Sequence, residues 1–211
     1  MIRDHFLPLP LTRLNSGARL YSPKQEKPAQ VTLESPALDV MTDLKQSPAL
    51  TIEPDASIEA ANAKMIRHGV RLLFVHDASD RLLGLITATD ILGEKVLQAM
   101  QARGVSRQDV QVHEIMTPRA HLEAIDFEDL RGPKVGHVLS TLKQAGRQHA
   151  LVVEVRPLTF QERLSMSSQE QFVHTVRGLF STSQIARQLG LSLHSPDLAT
   201  TFAEVEAMFI H

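Results

Sequence analysis

The strongest constraint on this chain is a repeat that begins at residue 40. Val40-Met41-Thr42 returns as Ile115-Met116-Thr117, and the run RLLGLITATDIL from Arg81 to Leu92 returns as TVRGLFSTSQIA from Thr175 to Ala186. A unit that recurs once within 211 residues folds as two like halves, because each copy makes the same elements and covers an apolar face that it cannot bury alone. Any reading of single motifs has to respect that pairing.

In the first copy, Ala49 to Glu53 alternates as a short strand, and Asp55 or Ser57 is placed to cap a helix. Ile58, Ala61 and Met65 recur along that helix at helical spacing until Gly69 ends it. Arg71 to His76 and Leu82 to Thr87 then read as two strands separated by the turn Asp77-Ala78-Ser79-Asp80. Thr89-Asp90 opens a second helix carrying Ile91, Leu92, Val96 and Met100. The second copy repeats the order. Leu122 to Ile125 is a strand, and Val135, Val138, Leu139 and Leu142 share one face of a helix ended by Gly146. Strands follow at His149 to Val155 and Val176 to Phe180, and Thr182 or Ser183 caps a closing helix with Ile185 and Leu189. Met41 lies 43 positions before Gly84 but Met116 lies 62 before Gly178, so the second copy carries about 19 extra residues. They fall at the turn between its two strands, as an insertion over 156–174 that leaves the core intact.

The expected fold class is therefore α/β in the α+β sense: two βαββα repeats, an extended N-terminal arm and a C-terminal helix. Residues 1–36 form the arm, 37–104 the first repeat, 105–191 the second, and 192–211 an amphipathic helix. The arm holds five of the eleven prolines and no sustained apolar period. The final helix starts at Ser195-Pro196-Asp197 and carries Leu198, Phe202, Val205 and Phe209 on one stripe.

Charge and composition narrow the function. A net charge of -2 provides no broad positive field, which argues against nucleic acid or an anionic membrane surface as the main partner. The absence of cysteine removes disulfides, thiolate nucleophiles and Cys-ligated metal sites. No apolar run approaches the roughly 18 residues that cross a bilayer, and the opening segment is too broken by Pro8 and Pro10 for a signal peptide. The expectation is a soluble, unexported, cytoplasmic protein without membrane insertion.

The hydrophobic-Met-Thr openings, the apolar strand pairs and the Gly-x-x-Thr-x-x-Asp junction at Gly84 to Asp90 together resemble a tandem cystathionine-beta-synthase (CBS) domain pair, or Bateman module, over about residues 39–190. The resemblance implies a pseudo-two-fold pair whose sheets face each other across a cleft. It also implies that the cleft takes adenine nucleotides or related adenosyl ligands, and that the module forms a homodimer.

At Gly84 to Asp90 a strand hands directly to a helix, so free backbone N–H groups and the positive helix end converge beside short oxygen-bearing side chains. Thr87, Thr89 and Asp90 cap the helix, a role worth about 0.5 to 2 kcal/mol. By the resemblance they also hold the adenosyl ribose, with Asp90 accepting from both hydroxyls. The matching corner of the second copy is Ser181, Ser183 and Gln184. Gln184 lacks the charge that makes a carboxylate a strong acceptor, so this second site is expected to be weak or vacant. For the phosphate, Arg71 resembles the phosphate-contacting arginine of nucleotide-sensing kinase regulatory subunits, and Arg147 and His149 offer further donors near the corresponding strand start. Arg119 is a weaker candidate.

None of the ten histidines pairs with another at a spacing of three to five, so no metal site is expected. Ser181 lacks the glycine pattern of a nucleophile elbow, and no catalytic residue is assigned. The resulting expectation is a non-catalytic regulatory module. It requires no cofactor, binds AMP, ADP or ATP as a regulatory ligand, and acts on an unknown regulated protein. The alternative is a ligand-free dimeric scaffold that joins partners through the 156–174 insertion and the termini.

Overall fold

A computed structural model of the chain describes residues 31–160, 163 and 171–190. Contacts divide the chain into Met1–Gln30 and Val31–His211, and all the described residues lie in the second unit. Residues 1–30 of the expected arm and the expected helix over 192–211 lie outside the described residues, as do 161, 162 and 164–170 of the insertion.

Among the described residues, eight strands form two four-stranded sheets. The first, in the order β2 (Thr51–Ile52), β3 (Leu72–His76), β4 (Leu82–Thr87) and β5 (Thr117–Pro118), mirrors the second, ordered β6 (Ala124–Asp126), β7 (His149–Pro157), β8 (Phe172–Ser181) and β1 (Thr42–Asp43). In each sheet the first pair is parallel and the next two are antiparallel. A parallel pair needs a crossover, supplied by α1 (Ile58–His68) between β2 and β3 and by α5 (Val135–Gln144) between β6 and β7. Ser57 caps α1 by accepting from the Ala60 N–H, and Gly69 closes it at φ 64°, where a side chain would be strained. Asp55 takes no part in the cap, which settles the choice between the two.

β3 is apolar at every position but the last because both of its faces are covered. Leu73 and Val75 point toward α1 and join a core with Ile58, Met65, Ile86 and Ile91. Leu72 and Phe74 point the other way and meet Leu151 of β7, with Leu85, Leu122 and Leu179 around them. That small cluster seats one sheet on the other. A third core, built from Val138, Leu142, Val152, Phe180 and Ile185, sits under the second sheet.

The repeated Met-Thr openings exchange sheets. Thr42 and Asp43 pair with Leu179 and Gly178 of the second copy, whereas Thr117 and Pro118 pair with Leu85 and Gly84 of the first. A Cβ on Gly84 would stand 2.3 Å from the Thr117 carbonyl oxygen, and one on Gly178 would stand 2.6 Å from that of Thr42. The glycine and the Met-Thr landmark therefore recur together for one steric reason. Arg177 strengthens the crossing: it pairs with Asp43 and with Glu154 at 2.9 Å, and its guanidinium lies 5.1 Å from the Phe127 ring centroid.

Three local expectations are corrected. The helix expected from Thr89 through Met100 is two helices, α2 (Ala88–Leu92) and α3 (Glu94–Arg103), broken at Gly93, whose ψ of -171° is extended. Leu92 is consequently not a core residue but 78% exposed. The insertion is not polar turn throughout, because β7 and β8 keep pairing out to Pro157 and Phe172. The helix that closes the second copy, α6 (Thr182–Gln188), has Ser181 at its cap position with no side-chain cap bond. Thr182 and Ser183 do not cap it; the Thr182 hydroxyl donates instead to the Gln148 carbonyl.

Val31 and Leu33 pack against the core under the second sheet, and the Leu33 and Ser35 carbonyls accept from the Gly136 and Val135 N–H groups at the start of α5. The short helix α4 (Val112–Ile115), unremarked in the periodicity, opens the second copy and buries Val112 and Ile115 in the first core.

Candidate functional site

Between the sheets lies a cavity of about 590 Å³. Arg71, Thr87, Thr89, Asp90, Arg147 and His149 all line it, so the candidates assigned to ribose and to phosphate come to one place from both copies. Thr117, His121, Glu123 and Gln148 complete the polar wall, and Leu85, Leu122 and Leu151 supply an apolar part.

The strand-to-helix corner is built as a reciprocal cap. Asp90 N–H donates to the Thr87 hydroxyl oxygen at 3.2 Å, while Asp90 Oδ2 accepts from the Thr87 N–H at 2.9 Å and from the Thr87 hydroxyl at 2.7 Å. The other oxygen, Oδ1, accepts from Lys95 Nζ at 2.5 Å. Lys95 also reaches Thr117 Oγ1 at 3.5 Å. Capping is thus one role of Asp90, and its side chain still keeps 12% exposure toward the cleft.

The ladder register fixes how the two corners correspond. Leu72 pairs with Thr87, and His149 pairs with Ser181. Ala88 N–H donates to the Arg71 carbonyl, and Thr182 N–H donates to that of Gln148. Gln148, and neither Arg147 nor His149, therefore stands where Arg71 stands. The second corner lacks both charges of the first, having Gln184 for Asp90 and Gln148 for Arg71. Its Gln184 Oε1 accepts from the Thr42 hydroxyl at 2.9 Å, and Ser181 and Ser183 lie 3.1 Å apart, oxygen to oxygen. Ser181, Ser183 and Gln184 do not line the cavity, whereas Gln148 does.

Charge in the cleft is uneven. Arg147 pairs with Glu123 at 2.7 Å. Burial, reinforced by the Arg71 charge and partly opposed by Asp90, pushes His149 down from 6.5 to about 4. His149 is neutral near pH 7, so it can hydrogen-bond a ligand but adds no positive charge to the cleft. Arg119 sits in a 3-10 turn and does not line the cavity, whereas His121 of the same turn does. Lys95 and Glu123 escaped sequence reasoning. Lys95 lies five residues past Asp90 beyond a helix break with no periodic signal, and Glu123 precedes a three-residue strand. Thr117 was legible as a repeat landmark, but its place at the corner depends on the exchange of openings. Among the described residues no three His, Asp or Glu side chains come together as a metal site, and no helix is long and apolar enough to cross a membrane.

Among solved structures the chain is similar to an uncharacterised conserved protein from Pyrococcus horikoshii, at 19% identity and TM-score 0.48, covering 78% of this chain and 99% of that one. It is also similar to a CBS-domain containing protein from Agrobacterium tumefaciens, at 16% identity and TM-score 0.47, covering 81% and 98%. CBSX2, solved in complex with AMP, gives 16% identity and TM-score 0.46, covering 72% and 94%. No curated protein matches. The family model for the CBS domain matches residues 37–97. The matched residues supply most of the first sheet, and the second sheet repeats its strand order.

Proposed function

We propose that this protein is a non-catalytic regulatory module that binds an adenine nucleotide or related adenosyl ligand in the cleft between its two repeats. One observation carries the reading: a single cavity gathers a carboxylate at a strand-to-helix corner, two arginines from opposite copies and an apolar patch. A ribose diol donates to Asp90, a phosphate meets Arg71 and Arg147, and an adenine ring covers Leu85, Leu122 and Leu151. Its neutral His149 adds directional hydrogen bonding without charge. The same ligand touches both copies, so its occupancy biases their relative arrangement to the extent that it prefers one arrangement over another. The module acts as a homodimer on a protein still to be identified.

A thermal-shift screen with AMP, ADP, ATP and S-adenosylmethionine tests this. A ligand at 100 times its dissociation constant stabilises by about 2.7 kcal/mol. The nucleoside phosphates should raise the melting temperature, and the cationic sulfonium ligand should do so less, because Arg71 and Arg147 repel it. No shift with any adenosyl ligand would leave the ligand-free scaffold as the better account, a reading to which Gln184 and Gln148 at the second corner already lend support.

A further inference from the structure

Resting on that reading, we propose that Lys95 is a specificity-determining residue of the cleft, and that it makes the site select nucleoside phosphates over the neutral nucleoside. A carboxylate offers about four acceptor positions. Thr87 fills two on Asp90 Oδ2, and Lys95 fills one on Oδ1. One position remains, whereas a ribose diol that donates both hydroxyls needs two. Something must yield. Breaking the Thr87 bonds dismantles the cap of α2, while Lys95 is 46% exposed and its ammonium can move into water or toward Thr117. Lys95 is the partner displaced.

Displacement has a consequence for the ligand. A nucleoside without a phosphate makes two contacts to Asp90 but gives up the charge-assisted Lys95 contact to make the second, so its binding is weak. A phosphate attached to the ribose offers the released ammonium a new anion close by, and the exchange becomes favourable. 2′-Deoxyadenosine presents one hydroxyl at this edge and fits the single open acceptor, so it does not compete with Lys95.

Calorimetric titration of AMP, adenosine and 2′-deoxyadenosine into the wild type and Lys95→Met tests the idea, with Lys95→Gln as a second variant and the unliganded melting temperature as the check on folding. Removing the ammonium should tighten adenosine roughly fivefold, weaken AMP by about the same factor and leave 2′-deoxyadenosine unchanged. A change that weakens adenosine, spares it, or moves adenosine and 2′-deoxyadenosine alike overturns the role of Lys95 while leaving the adenosyl site intact. Failure of AMP to bind the wild type removes the adenosyl site itself, and the role of Lys95 with it.

Discussion

In the proposed function Asp90 serves folding and recognition together. It closes the cap of α2, its other oxygen accepts from Lys95, and the residue lines the cavity wall. Its place at the strand-to-helix corner was legible from the junction alone, as was the replacement by Gln184 in the second copy. The neutrality of His149 was not legible, because it follows from burial and from the nearby Arg71, which adjoining strand ends bring to one cavity. The folded protein holds His149 at about 4 against 6.5 when unfolded, so between those values the unfolded chain binds the extra proton. Stability conferred by the neutral form is complete above about pH 6.5 and is lost as the pH falls toward 4, with a slope of at most about 1.4 kcal/mol per pH unit. Urea denaturation of the wild type and His149→Gln at pH 7 and pH 5 should show a smaller acid loss in the variant. Equal losses would mean that the imidazole is not buried as described.

At the scale of elements, strands and helices followed the periodicity closely, because β3, α1 and α5 each bury an apolar face. The departures have identifiable causes. Gly93 splits the second helix of the first copy, and a Cβ there would stand 2.8 Å from the Thr89 carbonyl oxygen. Apolar spacing carries straight across such a break. β7 and β8 lengthen beyond the core because ladder pairing continues into residues of mixed polarity, which periodicity does not register. The exchange of openings was invisible to spacing, yet the paired Gly and Met-Thr landmarks contained it. Gly84→Ala should therefore cost about 1 to 3 kcal/mol through displacement of the Thr117 segment, far more than an alanine at an open glycine such as Gly132. Equal denaturation midpoints for the two variants would contradict the close approach. Ser57→Ala should cost about 1 kcal/mol by leaving the α1 N-terminus uncapped, read by the same measurement.

For the whole molecule, the two copies share a topology but not a chemistry. The charged corner faces the cavity, and in its counterpart Gln184 is held by a neutral hydrogen bond from Thr42. A dimer is expected at tens of micromolar, and light scattering coupled to size exclusion reads the mass directly; a monomer would remove the dimer from the account. The most direct test of the central claim is the stoichiometry of AMP binding by calorimetry for the wild type, Asp90→Ala and Gln184→Ala. One nucleotide per chain, lost in Asp90→Ala and retained in Gln184→Ala, is the predicted result. Two nucleotides per chain, or undiminished binding to Asp90→Ala, would contradict it.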